Sequence, residues 1–400
     1  MRIKTKTILK FVCAAFVLYY TWLRVIVPSI QGYLLPFGLV MMGTILFYMI
    51  RHHTNLATAF DFPIASWILF SIVEYIVATF IAVNVSFAHT SAITFLELVI
   101  MCFAMVFVAK LDGDASFLIK LMYVTCVGYV ASMLIRNNQI MGRLALLNAN
   151  GDANVCLIGI VAATLLIDFK KDIQPFVIMT TVCMMFYANI MTGSRKSFLC
   201  MAFYLFFWIV VFFRTDWKSI SGKKRLALFV VIVLALFVFI RFVTPLIMNS
   251  TTILRFLEGS EQGDSLRLGF YKEAWDHFKT HPVFGIGYNQ FRVYNAGGYY
   301  SHSTYAEILA DGGVVGIILF FAPHIWCVLN LIKIAKKYAG NSFYEMKNAL
   351  LLLIYMISSL LLAAGMVQTS NERVLMMYAV MFAYIICDKE KERKMIDGAN

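Results

Sequence analysis

Long apolar runs separated by short polar loops constrain this chain more than any other feature of its sequence. A helix needs about 20 apolar residues to cross the hydrocarbon core of a bilayer, and only helices and closed barrels satisfy their backbone hydrogen bonds there. The short alternating runs typical of a membrane barrel are absent from the sequence. Because 61% of the 400 residues are hydrophobic and 14% are charged, we predict an all-α polytopic membrane protein.

The apolar runs predict about 12 transmembrane helices, with both termini on one side of the membrane. They lie at residues 11–30, 33–50, 63–83, 91–109, 115–135, 153–169, 175–191, 197–213, 225–245, 313–332, 347–367 and 372–387. The first run has no A-x-A-like cleavage site, so we interpret it as a retained helix and not as a signal peptide. No Pro-rich, Ser-rich or repeated linker interrupts the chain. We therefore expect one membrane domain, 1–400, with a large loop at 246–312 that contains short helices.

The distribution of Lys and Arg predicts the orientation of the chain in the membrane. Most of these residues lie in the loops on the side of the two termini. Loops rich in Lys and Arg face the cytoplasm, so we expect cytoplasmic termini and an external 246–312 loop, in the cytoplasmic (inner) membrane. The candidate polar residues that this assignment places on the external face are Arg143, Arg195, Arg267, His302 and Arg373.

Cysteines and net charge exclude several other classes of protein. The eight cysteines fall inside or at the ends of apolar runs, which argues against a disulfide framework and against a metal site in a loop. The net charge of +12 comes from basic residues scattered among interhelical loops. Membrane topology explains this pattern better than nucleic-acid binding does, so we expect no nucleic-acid partner.

The stretch GDSLRLGFYKEAWDHFKTHPVFGIGYNQF, residues 263–291, predicts a helix in the large loop. Ser265 is a good N-cap and Pro282 a good stop. Helical spacing places Arg267, Phe270, Tyr271, Ala274 and Phe278 on one face. Arg267 either binds a ligand or extends its guanidinium to the membrane interface. The tyrosines that follow, at 288, 294, 299 and 300, form either an interfacial belt or a platform on which sugars stack.

The stretch YYSHSTYAEILADGGVVG, residues 299–316, places one histidine just before an apolar helix. Thr304 and Glu307 have the spacing of a capping box, which predicts a helix start at Ser303 or Thr304. The positive end of that helix disfavours an imidazolium, so His302 would be a neutral imidazole able to accept a proton. Two alternatives remain at this point: Glu307 is only a helix cap, and His302 is an ordinary interfacial histidine.

Three motifs in the second half of the chain occur in an order that resembles the O-antigen ligase and Wzy polymerase superfamily. The stretches are TGSRKSFL (192–199) after NANGDANVCLIGI (148–160), LRLGFYKEAWDHFKTHPVFGIGYNQF (266–291) and HSTYAEILADGGVVGIILF (302–320). The family's S-R pair falls on Ser194 and Arg195. Its R-x(7)-W helix, with an H/N-P-x-x-G-x-G turn, falls on Arg267, Trp275, Pro282, Gly285 and Gly287. Its histidine motif falls on His302, Ser303, Glu307, Gly312, Gly313 and Gly316. The resemblance covers residues 148–320. The first half is similar only in being hydrophobic.

This resemblance implies a glycosyltransferase that uses a sugar chain carried on undecaprenyl diphosphate at the outer face of the cytoplasmic membrane. It would polymerise repeat units into a surface polysaccharide such as O-antigen, capsule or exopolysaccharide. Arg195 and Arg267 would bind the diphosphate, and His302 would deprotonate the acceptor hydroxyl. Ser303 and Glu307 are supporting candidates within the histidine motif. Arg143 and Arg373 are supporting candidates chosen for their side of the membrane.

The chemistry of such a transfer is compatible with these residues. Guanidinium groups stabilise the charge that develops on a leaving diphosphate, and a positioned base is sufficient for an attacking hydroxyl. The external loops contain no carboxylate pair for a metal. Asp112 and Asp114, in KLDGD, fall on the cytoplasmic side and fit a turn between helices. We therefore expect transfer without a metal or cofactor.

Several assignments stay open at the level of sequence. A ligase, which transfers the finished glycan to another acceptor, carries the same motifs as a polymerase. Glu74, Glu97 and Lys120 lie within predicted spans, where we expect them to face the bundle interior and pair. A transporter would show the same pattern, so an exporter or flippase of lipid-linked sugar is the alternative from another class. Expected partners are the lipid-linked oligosaccharide, membrane lipids, and chain-length regulator and flippase proteins.

Overall fold

The computed structural model confirms an all-α polytopic membrane protein. It describes residues 5–27, 29, 34–54, 60–140, 143–223, 225–226, 241, 248, 253, 261–340, 342–369 and 371–397. Within these ranges, nine helices are long and apolar enough to cross a membrane, judged by length and composition. The only strands in the same ranges form a two-residue antiparallel ladder, β1 (Gln139–Ile140) with β2 (Arg143–Leu144).

The helices that build the two units and the candidate site are labelled α1 to α14 in chain order. They are α1 (Thr5–Ile26), α2 (Leu34–Arg51), α3 (Phe62–Ile81), α4 (Val85–Asp112), α5 (Ser116–Arg136), α6 (Ala149–Leu166), α7 (Gln174–Met191), α8 (Arg195–Arg214), α9 (Asp216–Ser219), α10 (Glu261–Thr280), α11 (Phe291–Tyr294), α12 (Thr304–Lys337), α13 (Phe343–Ala363) and α14 (Glu372–Asp397). Each predicted span falls on one of these helices except the ninth, 225–245, most of which lies outside the described residues.

Helix α14 matches a predicted span although it is not one of the nine apolar candidates. Charged residues at both of its ends leave a short apolar segment from Val374 to Cys387. That segment is buried along its whole length, and α14 packs against α4. A helix that is apolar all round and covered by protein belongs to the core of its bundle.

Residues at its two ends explain where α4 begins and ends. The side chain of Asn84 accepts a hydrogen bond from Phe87 N at 3.0 Å and caps α4. Gly113, with φ 74°, ends the same helix in the left-handed conformation that glycine adopts easily. Asp112, the last residue of α4, forms salt bridges with Lys6 and Lys10. KLDGD is therefore a turn between two helices, as predicted.

The chain divides into two compact units. The first unit comprises residues 1–118, 261–330 and 360–400. Its core contains an aromatic cluster in which the Trp67 and Phe320 rings lie 6.1 Å apart and the Phe70 and Phe95 rings 5.3 Å apart. Each such pair stabilises the fold by about 0.5–1.5 kcal/mol, in addition to the stabilisation from the apolar area that it buries.

The second unit comprises residues 119–260 and 331–359. Its central helix, α6, is buried over most of its length. A Cβ on Gly159 would overlap the side chain of Met185, so glycine at this position lets α6 and α7 approach closely. The hydroxyls of Thr164 and Tyr204 lie 2.6 Å apart in the same core. This contact gives each of the two buried hydroxyls the hydrogen-bond partner that an apolar membrane interior demands.

The charged residues within predicted spans behave differently from one another. Glu74 is 1% exposed, as predicted, but its Oε2 has no hydrogen-bond partner. Glu97 is half-buried. The prediction for Lys120 was wrong because this side chain is exposed. Lys120 lies about one turn from the start of α5, where a long side chain can extend its ammonium group to the membrane interface.

Candidate functional site

A break in α12 forms the centre of the candidate site in the first unit. Gly313 has φ 59° and ψ −153°, which interrupts the helix. The carbonyl oxygens of Ala310 and Asp311 accept hydrogen bonds from Ile286 N at 3.0 Å and Gly287 N at 2.9 Å. Residues 281–287 therefore satisfy the carbonyl groups that the break exposes. The sequence pattern predicted a helix here but not this break.

The amide groups beyond the break are satisfied by the same segment. Val314 N donates to Pro282 O at 2.9 Å, and Val315 N donates to Val283 O at 3.1 Å. Unpaired backbone groups are costly in a buried setting. The HPVFGIG segment and the GG of α12 therefore form one hydrogen-bonded structure, which we call the break clamp (residues 281–287 and 310–315).

Two glycines are required by the geometry of the break clamp. Gly285 has φ +67°, and a Cβ on it would overlap the carbonyl group of Asp311. Gly313 has φ +59°, and a Cβ on it would lie 2.7 Å from the carbonyl oxygens of Pro282 and Val283. Side chains at these positions would be strained by the backbone and would collide with the clamp.

The carboxylate of Asp311 fixes the segment that follows the clamp. Its Oδ2 accepts a hydrogen bond from Asn289 N, and its Oδ1 accepts one from Phe291 N, both at 2.8 Å. Asp311 is 1% exposed and Phe291 is fully buried. The backbone of α11 is therefore held against α12 by a buried side chain.

His302 lies at the tip of a tight turn immediately before α12. Its φ is 61°, a left-handed value that residues other than glycine adopt rarely. The hydroxyl of Ser301 donates to Ser303 O at 2.8 Å. Glu307 Oε2 accepts a hydrogen bond from Ser301 N at 2.7 Å. Ser301 and Glu307 thus hold both sides of the turn that presents His302.

The capping box predicted for Thr304 and Glu307 was wrong, because the Thr304 hydroxyl forms its hydrogen bonds with residues outside α12. The Thr304 hydroxyl donates to Met366 O at 2.6 Å and accepts from Gln368 N at 3.0 Å. Helix α12 does begin at Thr304, so Ser303 occupies the N-cap position. Tertiary hydrogen bonds to residues 366–368 replace the local bond that the spacing suggested.

The imidazole of His302 packs against two aromatic side chains. Its ring centroid lies 4.3 Å from that of Tyr300 and 6.0 Å from that of Phe270 in α10. Phe270 belongs to the predicted face of α10, and this face is confirmed because Ala274 is buried and the other four residues are half-buried. The predicted N-cap at Ser265 was wrong, since α10 already includes Glu261.

Arg292, in α11, is a residue of this site that the sequence analysis missed. Its guanidinium carbon lies 5.7 Å from the centroid of the Tyr300 ring. Its Nε is buried and has no hydrogen-bond partner. Oε1 of Glu307 is likewise buried and without a partner. No motif includes Arg292; the available signal was its place between the glycine turn and the tyrosine-rich segment before His302.

Burial and three charged side chains shift the pKa of the Tyr300 hydroxyl. Burial raises the pKa of the Tyr300 hydroxyl. The positive charges of Arg292 and Arg267 oppose that rise in pKa, whereas the carboxyl of Glu307 adds to it. Arg267, itself half-buried on α10, therefore acts on the same tyrosine as Arg292. The first unit brings Arg267, Arg292, Tyr300 and His302 into one neighbourhood.

The second unit contains two more of the predicted arginines, Arg143 and Arg195. Arg195 is the first residue of α8 and is half-buried, with Ser194 at the N-cap position. Arg143 Nε donates to Thr192 O at 2.6 Å, and its Nη2 donates to Asn150 Oδ1 at 3.1 Å. Arg143 thus supports the turn from which Arg195 emerges.

Arg373, the remaining predicted residue, is buried in the first unit. Its Nε and Nη2 donate to Thr21 O at 3.2 and 3.0 Å, where α1 contains a π-helical turn. Its Nη1 also lies 3.1 Å from Glu372 Oε1. These contacts tie α14 to α1. A substrate contact by Arg373 stays a prediction.

An open cleft of about 340 Å³ lies between α10 and the start of α12. It is lined by Tyr271, Trp275, Ser303, Tyr305, Leu309 and Ile317, among others. Ser303 adjoins His302 in sequence, so an apolar surface begins beside the histidine turn. Separately, the described part of the chain contains no group of three His, Cys, Asp or Glu side chains arranged to hold a metal.

The fold and these residues define a multi-pass membrane protein with a histidine and two arginines gathered beside a broken helix. Residues 180–321 of the chain match the family model described as O-antigen ligase. This match confirms the resemblance drawn from the motifs, and its range includes Arg195, Arg267 and His302. It supports a membrane enzyme of the O-antigen ligase or polymerase type. A search of curated proteins found no match to the chain.

Proposed function

We propose that this protein is a glycosyltransferase that polymerises oligosaccharide repeat units carried on undecaprenyl diphosphate. The observation that supports it most is the presentation of His302 on a hydrogen-bonded turn, in the neighbourhood of Arg267. A base beside a guanidinium is what transfer from a sugar diphosphate requires. The match of residues 180–321 to the O-antigen ligase family supports the same reaction class.

The proposed reaction exchanges one glycosidic bond for another. The hydroxyl oxygen of the acceptor sugar attacks the anomeric carbon, and its proton passes to the imidazole of His302. The bond between the anomeric carbon and the diphosphate oxygen breaks, and the diphosphate leaves with the electron pair. Arg195 and Arg267 bind the diphosphate and stabilise the negative charge that develops on it.

Three further residues have supporting roles in this proposal. Glu307 and Ser303 position His302 through the turn and the start of α12. Arg143 positions the turn that carries Arg195. The reaction needs neither metal nor cofactor in this scheme, because the guanidinium groups neutralise the charge that a divalent ion would otherwise neutralise.

The central test is the variant His302→Ala, purified and assayed with lipid-linked repeat units. We expect turnover to fall by about 10²- to 10⁴-fold while the variant still binds the lipid donor, since the arginines remain. Full turnover by the variant would contradict the assignment of the base. Loss of both turnover and donor binding would show that His302 holds the substrate or the structure.

The conservative variants Arg195→Lys and Arg267→Lys test diphosphate binding. A lysine keeps the charge but not the planar fork that contacts two oxygens, so we expect most activity to be lost while the protein still inserts. Polymer of normal length from either variant would exclude that arginine from diphosphate recognition. Wild-type assays with and without a chelator test the expected independence of metal.

The product distinguishes polymerase, ligase and exporter. A polymerase lengthens the glycan on its lipid carrier, a ligase moves a finished glycan to another acceptor, and both release undecaprenyl diphosphate. An exporter or flippase moves substrate between leaflets and releases none. Addition of chain-length regulator or flippase proteins to the same assay tests whether they are partners.

The proposed location is the cytoplasmic membrane, with cytoplasmic termini and the site outside. Thr280, at the exposed end of α10, is a suitable position for a test cysteine. We expect Thr280→Cys to react with an impermeant thiol reagent in intact cells and the unmodified parent to react less. Labelling that requires lysis would place the site on the cytoplasmic side.

A further inference from the structure

The position of Arg292 is set by buried neighbours. Phe291, the preceding residue, is fully buried, and its backbone N–H is bound by the carboxylate of Asp311. The Phe291 ring also contacts Phe270, with centroids 6.4 Å apart. A residue placed by such a scaffold has a defined location before any ligand binds, which is the condition for a preorganised site.

The guanidinium of Arg292 is incompletely satisfied within the protein. Its Nε is buried without a hydrogen-bond partner, and its side chain as a whole is half-buried. A buried, unpartnered donor of a charged group is costly for the folded protein. The nearby carboxyl of Glu307 does not relieve this cost, because its Oε2 binds Ser301 and its Oε1 is itself unpartnered.

The side chain of Tyr300 lies between Arg292 and the histidine turn and contacts both. The Tyr300 ring contacts the guanidinium of Arg292, at 5.7 Å, and the imidazole of His302, at 4.3 Å. Arg267 acts on the hydroxyl of the same tyrosine. Two guanidinium groups therefore accompany Tyr300 beside His302, and only one of them belongs to a motif recognised in the sequence.

We propose that Arg292 binds oxygens of a phosphate group next to His302, as a third arginine of the substrate site together with Arg267. The inference deepens the proposed function and rests on it, because the phosphate would be that of the lipid-linked donor. The Nε and one Nη of Arg292 would form a bidentate contact, which supplies the partner that Nε lacks. Tyr300 keeps the guanidinium beside the histidine.

Diphosphate suits this site better than a single carboxylate does. Two guanidinium groups offer more donors than one carboxylate accepts, and a diphosphate has enough oxygens for both. Arginine is the residue that recognises such planar oxygen pairs.

The test measures binding without turnover. Inorganic pyrophosphate and farnesyl diphosphate are titrated separately into purified full-length protein. The proteins compared are the wild type, Arg292→Gln, Arg292→Lys and Lys272→Gln. Lys272→Gln is the matched control, since it removes one positive charge from an exposed position of α10. We expect Arg292→Gln to weaken binding of both probes by roughly 10- to 100-fold, as for loss of a hydrogen bond to a charged group.

We expect Arg292→Lys to fall between wild type and Arg292→Gln, and Lys272→Gln to bind as wild type does. Arg292→Lys keeps the charge and the packing against Tyr300, so it provides a folded comparison if Arg292→Gln is unstable. Unchanged binding by Arg292→Lys and Arg292→Gln overturns the proposal. Equal weakening by Lys272→Gln also overturns it, because the effect would then be one of general charge.

Two further arms separate the possible sources of phosphate and the two proposals. In one arm, detergent micelles that contain phosphatidylglycerol compete with farnesyl diphosphate for the protein. If phosphatidylglycerol binds as tightly as farnesyl diphosphate does, the site attracts any anionic lipid, and the proposal is overturned. If wild type binds pyrophosphate through Arg292 but transfers no glycan, the proposed function fails while the phosphate site stands. If glycan transfer is normal and Arg292→Gln binds both probes as wild type does, the inference fails alone.

Discussion

Glu307 Oε2 accepts a hydrogen bond from the backbone N–H of Ser301 at 2.7 Å, across the turn that presents His302. Both residues are buried, Ser301 fully and Glu307 with 3% of its surface exposed. His302 between them has a left-handed backbone conformation with φ 61°. A buried charge-assisted hydrogen bond can hold a turn in a conformation that the chain alone disfavours.

This relationship predicts different outcomes for two substitutions of Glu307. Glu307→Gln keeps an oxygen that accepts from Ser301 N, so we expect it to retain most activity. Glu307→Ala leaves that N–H buried and unsatisfied, and we expect a loss of roughly 1–3 kcal/mol of stability. Turnover should fall by about 10- to 100-fold as His302 loses its position. Thermal unfolding and initial rates measure the two effects.

The same pair tests whether Glu307 acts as the base instead of His302. A base cannot be replaced by an amide, so Glu307→Gln would then be as inactive as Glu307→Ala. The pH profile of the Glu307→Gln enzyme adds a second readout, because an unchanged profile assigns the titrating base elsewhere.

The glycines of the break clamp should be intolerant of a methyl group. We expect Gly285→Ala to destabilise the protein by roughly 2–4 kcal/mol, because it combines positive φ with a collision against Asp311. Gly269→Ala in α10 is the matched control. Nothing lies within 4 Å of a Cβ at Gly269, so alanine there should stabilise the helix by about 0.5–1 kcal/mol. Thermal unfolding in detergent compares them.

Equal tolerance of both substitutions would show that residues 281–287 do not depend on close contact with α12. A loss of stability in both would indicate instead that the protein tolerates no added methyl group in this region, whatever its contacts.

The sequence predicted most helices because the bilayer imposes a length and composition on each span. It also predicted the face of α10 that carries Arg267 and Phe270, since helical periodicity depends only on spacing. The break clamp could not be predicted in the same way. Its bonds join residues 281–287 to 310–315, and no local pattern specifies which carbonyl groups will be free at Gly313.

The candidate site shows the same limit. His302, Arg195 and Arg267 were predicted because they fall in motifs. Arg292 became visible only when the fold placed it against Tyr300, eight positions along the chain. Thr304 illustrates the converse: its spacing to Glu307 suggested a cap, but its hydroxyl bonds to residues 366 and 368.

Arg143 should act through the turn that carries Arg195. Asn150→Ala removes the bond between Arg143 and Asn150, whereas Arg143→Ala also removes the bond to Thr192 O, so we expect a larger loss of stability for Arg143→Ala, of roughly 1–2 kcal/mol. We expect KM for the lipid donor to rise in the same order. The double variant should differ little from Arg143→Ala, because the two residues share one interaction.

A rise in KM without any change in stability would instead indicate direct contact between Arg143 and the donor. A rescue by Arg143→Lys would support the same conclusion, since lysine keeps the charge but cannot form both hydrogen bonds.

His277 gives the site region a pH-dependent stability. Its ring lies 4.7 Å from that of Tyr294, and burial lowers its pKa from 6.5. Glu273 and Asp276 act against this shift in pKa, and His281 adds to it. A histidine whose pKa is lower in the folded state is neutral there while the unfolded chain already binds a proton. Its contribution to stability is therefore complete above the unfolded pKa of about 6.5 and is lost as the pH falls through the folded value.

We accordingly expect the wild-type protein to lose more thermal stability than His277→Gln between pH 7.5 and pH 5.5. The difference should be small, on the order of 1–2 °C, because the ring is partly solvated and its charge is screened. Unfolding temperatures of both proteins at the two pH values measure it, and the variant removes the contributions of all other titrating groups from the comparison. An equal or greater loss in His277→Gln would mean that the packing of this ring on Tyr294 does not depend on its neutral form.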